Sequence, residues 1–219
     1  MLDVLSKVGQ NANGRKQMGS NVDFLLVGGG LASATAAETL RAAGAEGSIA
    51  IMCAEATPPY HRPPLSKGFL VNGPEQTKIL IHDETFYRER EIDIHLGTRV
   101  CRIDVDSRTI ETDRGNFRFG KLLIATGASV QRLAAQRAHL TGIHYLRSVN
   151  DALSLYESIS HARHAVVIGA SFLGMELAAA FVTRGVATTL IAKEDLVYEK
   201  LNARPRSRSS SLNILENEA

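Results

Sequence analysis

Apolar residues in this chain come in short runs that stop at glycine. Residues 24–27, Phe-Leu-Leu-Val, end in Gly28, Gly29 and Gly30, and an alanine-rich stretch follows with Leu31 and Leu40 in it. A run without polar interruption reads as a strand buried on both faces, and the small residues after it as a turn into a helix packed closely on the sheet. Residues 48–53, Ser-Ile-Ala-Ile-Met-Cys, predict a second buried strand, reached through a helix-ending segment that holds Gly44 and Gly47. The pattern then changes. Phe86 and Tyr87 among the charges of 84–91 predict a short amphipathic helix, and 92–96 and 100–105 alternate apolar with polar, as strands with one wet face do. Two more alternating runs, 109–112 and 116–119, predict a small β-meander, and 121–128 a buried strand ending in small residues. Further on, 148–153 opens a helix with Ser148 or Asn150 as its cap. Residues 164–168, His-Ala-Val-Val-Ile, are a buried strand running into a second glycine turn at Gly169, and 188–191 is the last strand.

A strand that ends in glycines and opens a helix is a place to hold phosphate. Gly28 permits the sharp turn, and Gly30 lets backbone approach a pyrophosphate with no Cβ in the way. The helix beginning at Leu31 and Ala32 aims unpaired N–H groups and its positive dipole at the same point. Ser33 stands where the third small residue belongs, and its extra bulk is expected to hold helix and strand marginally farther apart. The unit repeats at Gly169, Ser171, Phe172, Leu173 and Gly174, with Ser171 in place of the middle glycine and so a narrower approach. Glu55 lies about 25 residues beyond Gly30, near the spacing at which an acid holds a ribose, although a surface carboxylate at a strand end reads the same way. After the last strand Ala192 occupies the position of the second such acid. Glu194 would suit NADH and Lys193 the extra phosphate of NADPH, so both nucleotides stay open.

Composition narrows the classes. With 219 residues the chain is long enough for one large domain or two small ones, and a net charge of +2 gives no reason to expect nucleic acid. Cys53 and Cys101 lie far apart in strand-like settings and read as buried, inert thiols of a reducing, cytoplasmic compartment. No dithiol is available for electron transfer through a protein disulfide, and no metal is called for. Residues 1–20 lack a signal-peptide core, and the apolar run 165–182 contains Gly169, Gly174 and Glu176, which fits a strand, turn and helix better than a membrane span.

Residues 58–70, Pro-Pro-Tyr-His-Arg-Pro-Pro-Leu-Ser-Lys-Gly-Phe-Leu, form a stretch stiffened by four prolines that presents Arg62 and Lys67. It resembles, position by position, the Tyr-x-Arg-Pro-Pro-Leu-Ser-Lys segment of the FAD-dependent ferredoxin and rubredoxin reductases and their apoptosis-inducing-factor-like relatives. The resemblance runs over about residues 22–201. It implies an α/β fold: a Rossmann-like FAD-binding domain (22–147) carrying the meander, then part of a second Rossmann-like domain for NAD(P)H (148–201), between tails at 1–21 and 202–219. It also implies that Arg62 lies along the FAD pyrophosphate and ribityl chain, that Lys67 sits near flavin N5 and pairs with Glu176, and that the backbone of Val100 meets the adenine. Ala125, Thr126 and Gly127 match the family's Ala-Thr-Gly element against FAD. Arg132 stands one place late for the family's arginine, and 135–137 replace a Pro-Gly turn. His61 falls at a variable position and is expected to face solvent.

The function so implied is transfer of hydride from NADH or NADPH to FAD, followed by single-electron transfer to an iron–sulfur protein of the ferredoxin, rubredoxin or Rieske type. Family members continue past residue 201 with the rest of the NAD domain, a second FAD segment and an interface domain. The rival expectation is therefore an inactive truncated product, or an interaction protein that uses the fold without turnover. The basic, serine-rich residues 203–211 read as a solvated tail.

Overall fold

The computed structural model describes residues 17–75, 78–133 and 140–192. The tail and the 193–194 and 135–137 expectations, apart from residues 17–21, lie outside them. Packing divides the chain into two compact units. Described residues up to His61 and from Ile79 to Ser129 form the first, and those from Arg62 to Lys78 and from Val130 onward the second. The segment 62–78, expected inside the first domain, packs with the second unit.

The first unit is one six-stranded sheet. Strand β1 (Gln17–Val27) leads through helix α1 (Leu31–Ala42) to β2 (Ile49–Met52); helix α3 (Glu84–Glu89) precedes β3 (Ile92–His95), and β4 (Val100–Asp104), β5 (Thr109–Thr112) and β6 (Gly115–Ile124) follow. Helix α2 (Gly68–Asn72), between β2 and α3 in sequence, belongs to the second unit. The order across the sheet is β3-β2-β1-β6-β5-β4, parallel from β3 to β6 and antiparallel from β6 to β4. This is the α/β, Rossmann-like arrangement with an attached meander that the resemblance implied.

Alternation along β1 divides the core. Leu26 joins Ala37, Ile49, Ile51, Cys53, Tyr87 and Ile92, whereas Leu25 joins Val22, Ala50, Met52, Ile110, Phe117 and Phe119. Both leucines are fully shielded from solvent, and each such side chain contributes about 2 kcal/mol. The Cys53 thiol is pushed up to about 12, first by burial and then by the Glu55 charge, so it is inert. Arg41 fastens the periphery: its guanidinium donates to the carbonyls of Ala45, Gly47, Arg90 and Glu91 at 2.6 to 2.8 Å.

Three expectations for this unit need correction. Residues 17–21 are strand and not tail, because main-chain pairing with β6 from Gly115 onward needs no apolar side chains. The runs 116–119 and 121–128 do not form two strands, the second buried: one strand runs from Gly115 to Ile124, with Leu123 and Ile124 38% and 58% exposed, and Gly120 lets it pass close to β1, where a Cβ would stand 2.8 Å from the Asp23 carbonyl oxygen. Cys101 is exposed, at the register shift between Val100 and Arg102 that turns it out of the core.

In the second unit, helix α4 (Val149–His161) leads to β7 (His164–Ile168), α5 (Phe172–Thr183) and β8 (Ala187–Ile191), with β7 and β8 parallel. Ser148 is the cap of α4, in a reciprocal capping box with Asp151. The stretch expected as a stiff loop is a 3₁₀ turn over Pro63–Ser66 followed by α2; Pro at the first turn suits the start of a helix. Leu70, Leu155, Ile159, Val167, Ala178 and Phe181 form the core. Arg184 holds it together, donating to the Leu70 carbonyl and Ser160 Oγ at 2.9 Å each and lying 4.3 Å from the Tyr156 ring. Residues 164–168 are not a buried strand. Only Val167 is shielded, while Val166 and Ile168 are 55% and 61% exposed, since among the described residues this two-stranded sheet is covered on one face.

Candidate functional site

The glycine turn of the first unit is built as a cradle. Gly28 has φ of +121° and its N–H donates to the Met52 carbonyl at 2.9 Å. A Cβ there would fall 2.2 Å from the Ala125 carbonyl oxygen, so the turn and the end of β6 require glycine. Gly30 is the opposite case: a Cβ would meet nothing within 4 Å, leaving open space before the helix. Gly30 is also the N-cap of α1, and no side chain caps it, so the N–H groups of Leu31, Ala32 and Ser33 face a position without a built-in acceptor. Ser33 is fully buried, and its hydroxyl finds no partner among the described residues. Open space, an uncapped helix start and a spare hydroxyl fit an anionic phosphate.

Glu55 follows β2 and is half-buried. Its Oε2 accepts from the Tyr60 hydroxyl at 2.6 Å, and Tyr60 is buried, so the carboxylate is oriented from beneath. Its backbone is pinned as well, the carbonyl accepting from Gly97 N–H at 2.9 Å. An oriented acid fits a ribose better than an ordinary surface carboxylate does. Ala125, Thr126 and Gly127 come directly after β6; Ala125 N–H donates to the Val27 carbonyl, and Gly127 has φ of +70°. Val100 opens β4 and packs its side chain on the core.

The second unit carries Arg62, Lys67 and Arg132. Arg62 donates to the carbonyl of Arg147, which ties the 3₁₀ turn to the entry of α4. Lys67, 56% exposed, has its Nζ 3.2 Å from Glu176 Oε1, so the expected pair is present. The other oxygen of Glu176 accepts from Ser66 Oγ at 2.6 Å. Arg132 is exposed, its guanidinium 5.1 Å from the Tyr145 ring centre, and His61 is exposed as expected. Gly169 has φ of +110°, and its N–H donates to the Ile191 carbonyl at 2.8 Å. Gly174, in the first turn of α5, lies so close that a Cβ would stand 1.8 Å from the Gly169 carbonyl oxygen. Ser171 caps α5 without a side-chain hydrogen bond, and Phe172 and Leu173 are exposed beside it. Tyr60 and Ser66 stand in the proline-rich motif with no role that the sequence assigns; only their contacts, with Glu55 5 residues away and Glu176 110 residues away, reveal one.

The family model described as pyridine nucleotide-disulphide oxidoreductase matches residues 22–211. The chain belongs to that family. Within it, this chain is 38% identical over 169 residues to a rubredoxin-NAD(+) reductase of Pseudomonas putida, covering 77% of this chain and 44% of that protein. It is 35% identical over 196 residues to a chloroplastic/mitochondrial monodehydroascorbate reductase of Arabidopsis thaliana, covering 83% and 40%. Among solved structures it is similar to a ferredoxin reductase from Rhodopseudomonas palustris, with a TM-score of 0.78 and 31% identity over 81% of this chain and 44% of that one. The chain spans less than half the length of these relatives. Among the described residues no helix is long and apolar enough to cross a membrane.

Proposed function

We propose that this chain is an NAD(P)H-dependent flavoprotein reductase that delivers electrons to a small iron–sulfur protein of the ferredoxin, rubredoxin or Rieske type, in a cytoplasmic setting. Residues 22–147 are its FAD domain and 148–201 belong to its NAD(P)H domain. The observation that carries this reading is the pair of glycine turns, each with its first N–H bonded to the neighbouring strand and each opening a helix without a side-chain cap.

Gly28 and Gly30, with the first-turn N–H groups of Leu31, Ala32 and Ser33, hold the FAD pyrophosphate. Glu55, fixed by Tyr60, takes the ribose, and Val100 borders the adenine. Arg62, Ala125, Thr126, Gly127 and Arg132 are further FAD contacts, and Lys67 with Glu176 tunes the flavin. Gly169, Ser171, Phe172, Leu173 and Gly174 receive NADH or NADPH. FAD when bound supplies the chemistry side chains lack, accepting a hydride and releasing electrons singly. The chain's own part is electrostatic: the Lys67 cation offsets negative charge gained on reduction, and Glu176 limits that offset. The names of the rubredoxin and ferredoxin reductases support the iron–sulfur acceptor. Among the described residues, the exposed apolar side chains of Val166, Ile168 and Ile191 favour a second reading, an interaction protein without turnover.

Purification of the chain, an absorbance spectrum for bound flavin and titration with NADH and NADPH test both. A yellow protein bleached by either nucleotide, and reoxidised by ferredoxin or rubredoxin, is expected. A colourless protein that takes up no added FAD overturns the reductase reading.

A further inference from the structure

The turn that carries Lys67 holds the same carboxylate a second time. Ser66 is 3% exposed and donates to Glu176 Oε2 at 2.6 Å, while Lys67 reaches Oε1 at 3.2 Å. Two consecutive residues thus take the two oxygens of one side chain, one from a buried position and one from an exposed position. Their grips differ in kind. An exposed lysine pair is weak and screened by salt, and it costs the freedom of a long side chain. A serine hydroxyl on a carboxylate is short and directional and immobilises little. The backbone beneath Ser66 is already fixed, with Leu65 N–H on the Arg62 carbonyl at 3.0 Å, Lys67 N–H on the Pro64 carbonyl at 3.1 Å, and two prolines restricting φ.

We propose that Ser66 is a positioning residue that orients the Glu176 carboxylate so that its second oxygen holds the Lys67 ammonium in one place. Its effect on the flavin, exerted through Glu176, rests on the flavoprotein reading above.

The first test needs no flavin. Acetic anhydride labelling of the purified full chain, read at Lys67 by peptide mass spectrometry against Lys78 and Lys121 as internal references, reports how firmly the ammonium is held. Ser66→Ala is expected to raise labelling of Lys67 about threefold. Glu176→Gln should raise it at least as much, and the double variant no further than Glu176→Gln alone. Ser66→Thr, which keeps the hydroxyl, should restore the wild-type rate. Unchanged labelling in Ser66→Ala, or the same acceleration with and without the Glu176 carboxylate, overturns the proposal, the second outcome marking general loosening of the turn. If circular dichroism shows that Ser66→Ala does not fold, Ser66→Cys replaces it and is scored identically. With FAD bound, Ser66→Ala and Glu176→Gln should move the midpoint potential in the same direction, the double variant matching Glu176→Gln; additive shifts overturn the role toward the flavin. Failure to bind FAD sinks the reductase reading while the labelling result still decides the role of Ser66.

Discussion

The two glycine turns repeat one local plan on two different foundations. Each has a glycine at positive φ whose N–H bonds to the last residue of the neighbouring strand, Met52 for Gly28 and Ile191 for Gly169. What enforces the geometry differs. The Gly28 turn is pressed by the carbonyl of Ala125, almost a hundred residues away, whereas the second turn is pressed by its own helix, Gly174 against Gly169. Burial differs too: Val27, just before the first turn, is 5% exposed, and Ile168, just before the second, is 61% exposed. A nucleotide cradle is therefore a property of the turn and helix, while the apolar run before it is buried only as far as the sheet around it extends.

The largest expected effect falls on the second turn. Gly174→Ala places a methyl group in the Gly169 carbonyl, and loss of more than about 3 kcal/mol is expected; thermal melts should show the second unit unfolding at lower temperature with the first preserved. A single shared transition, shifted as a whole, would break the division into two units. Arg41→Ala leaves four carbonyls without their donor and should cost the first unit about 3 kcal/mol by urea denaturation, more than Arg184→Ala costs the second. The contrast in burial gives a matched pair: Val27→Ala should cost about 2 kcal/mol and Ile168→Ala less than about 0.5. Equal costs would mean that the apolar face of β7 is covered in solution.

The smallest effect concerns pH. Burial holds His95, packed edge-on to Phe117, below its ordinary 6.5. The unfolded chain then binds the proton more readily, so the contribution of His95 is complete above pH 6.5 and is lost as pH falls below it. His95→Gln should flatten the stability curve of the first unit between about pH 7 and 5 by less than about 1 kcal/mol. An unchanged slope would put the titration elsewhere.

Both cradles were legible in the sequence because each is written in consecutive residues, as are the Ser148 cap and the Pro-Pro-Leu-Ser-Lys turn. The pairing of Lys67 with Glu176 was legible only through resemblance, since nothing local links positions 109 residues apart. What stayed hidden depends on main-chain contacts or distant partners. Residues 17–21, Gln-Met-Gly-Ser-Asn, carry no strand pattern yet pair through their backbone, and Gly120 reads as a strand end although it is the point where two strands close in. The exposure of Val166 and Ile168 contradicts their apolar character because a run of valine and isoleucine records what a strand suits, and cannot record how many layers are present.

The central place of β1 also sets an order of assembly. It pairs with β2 across a separation of about 25 residues, Phe24 opposite Ile49, but with β6 across about 97, Phe24 opposite Lys121. Closing the longer loop costs only about 1 kcal/mol more in chain entropy, so equilibrium stability hardly registers the difference. Time does: on a ribosome adding about 5–20 residues per second, β1 and β2 emerge seconds before β6. During that interval β1, with its apolar run Phe24 to Val27, has one edge unpaired, a template for other chains. The nascent chain, more than the finished protein, is where this fold is exposed to aggregation.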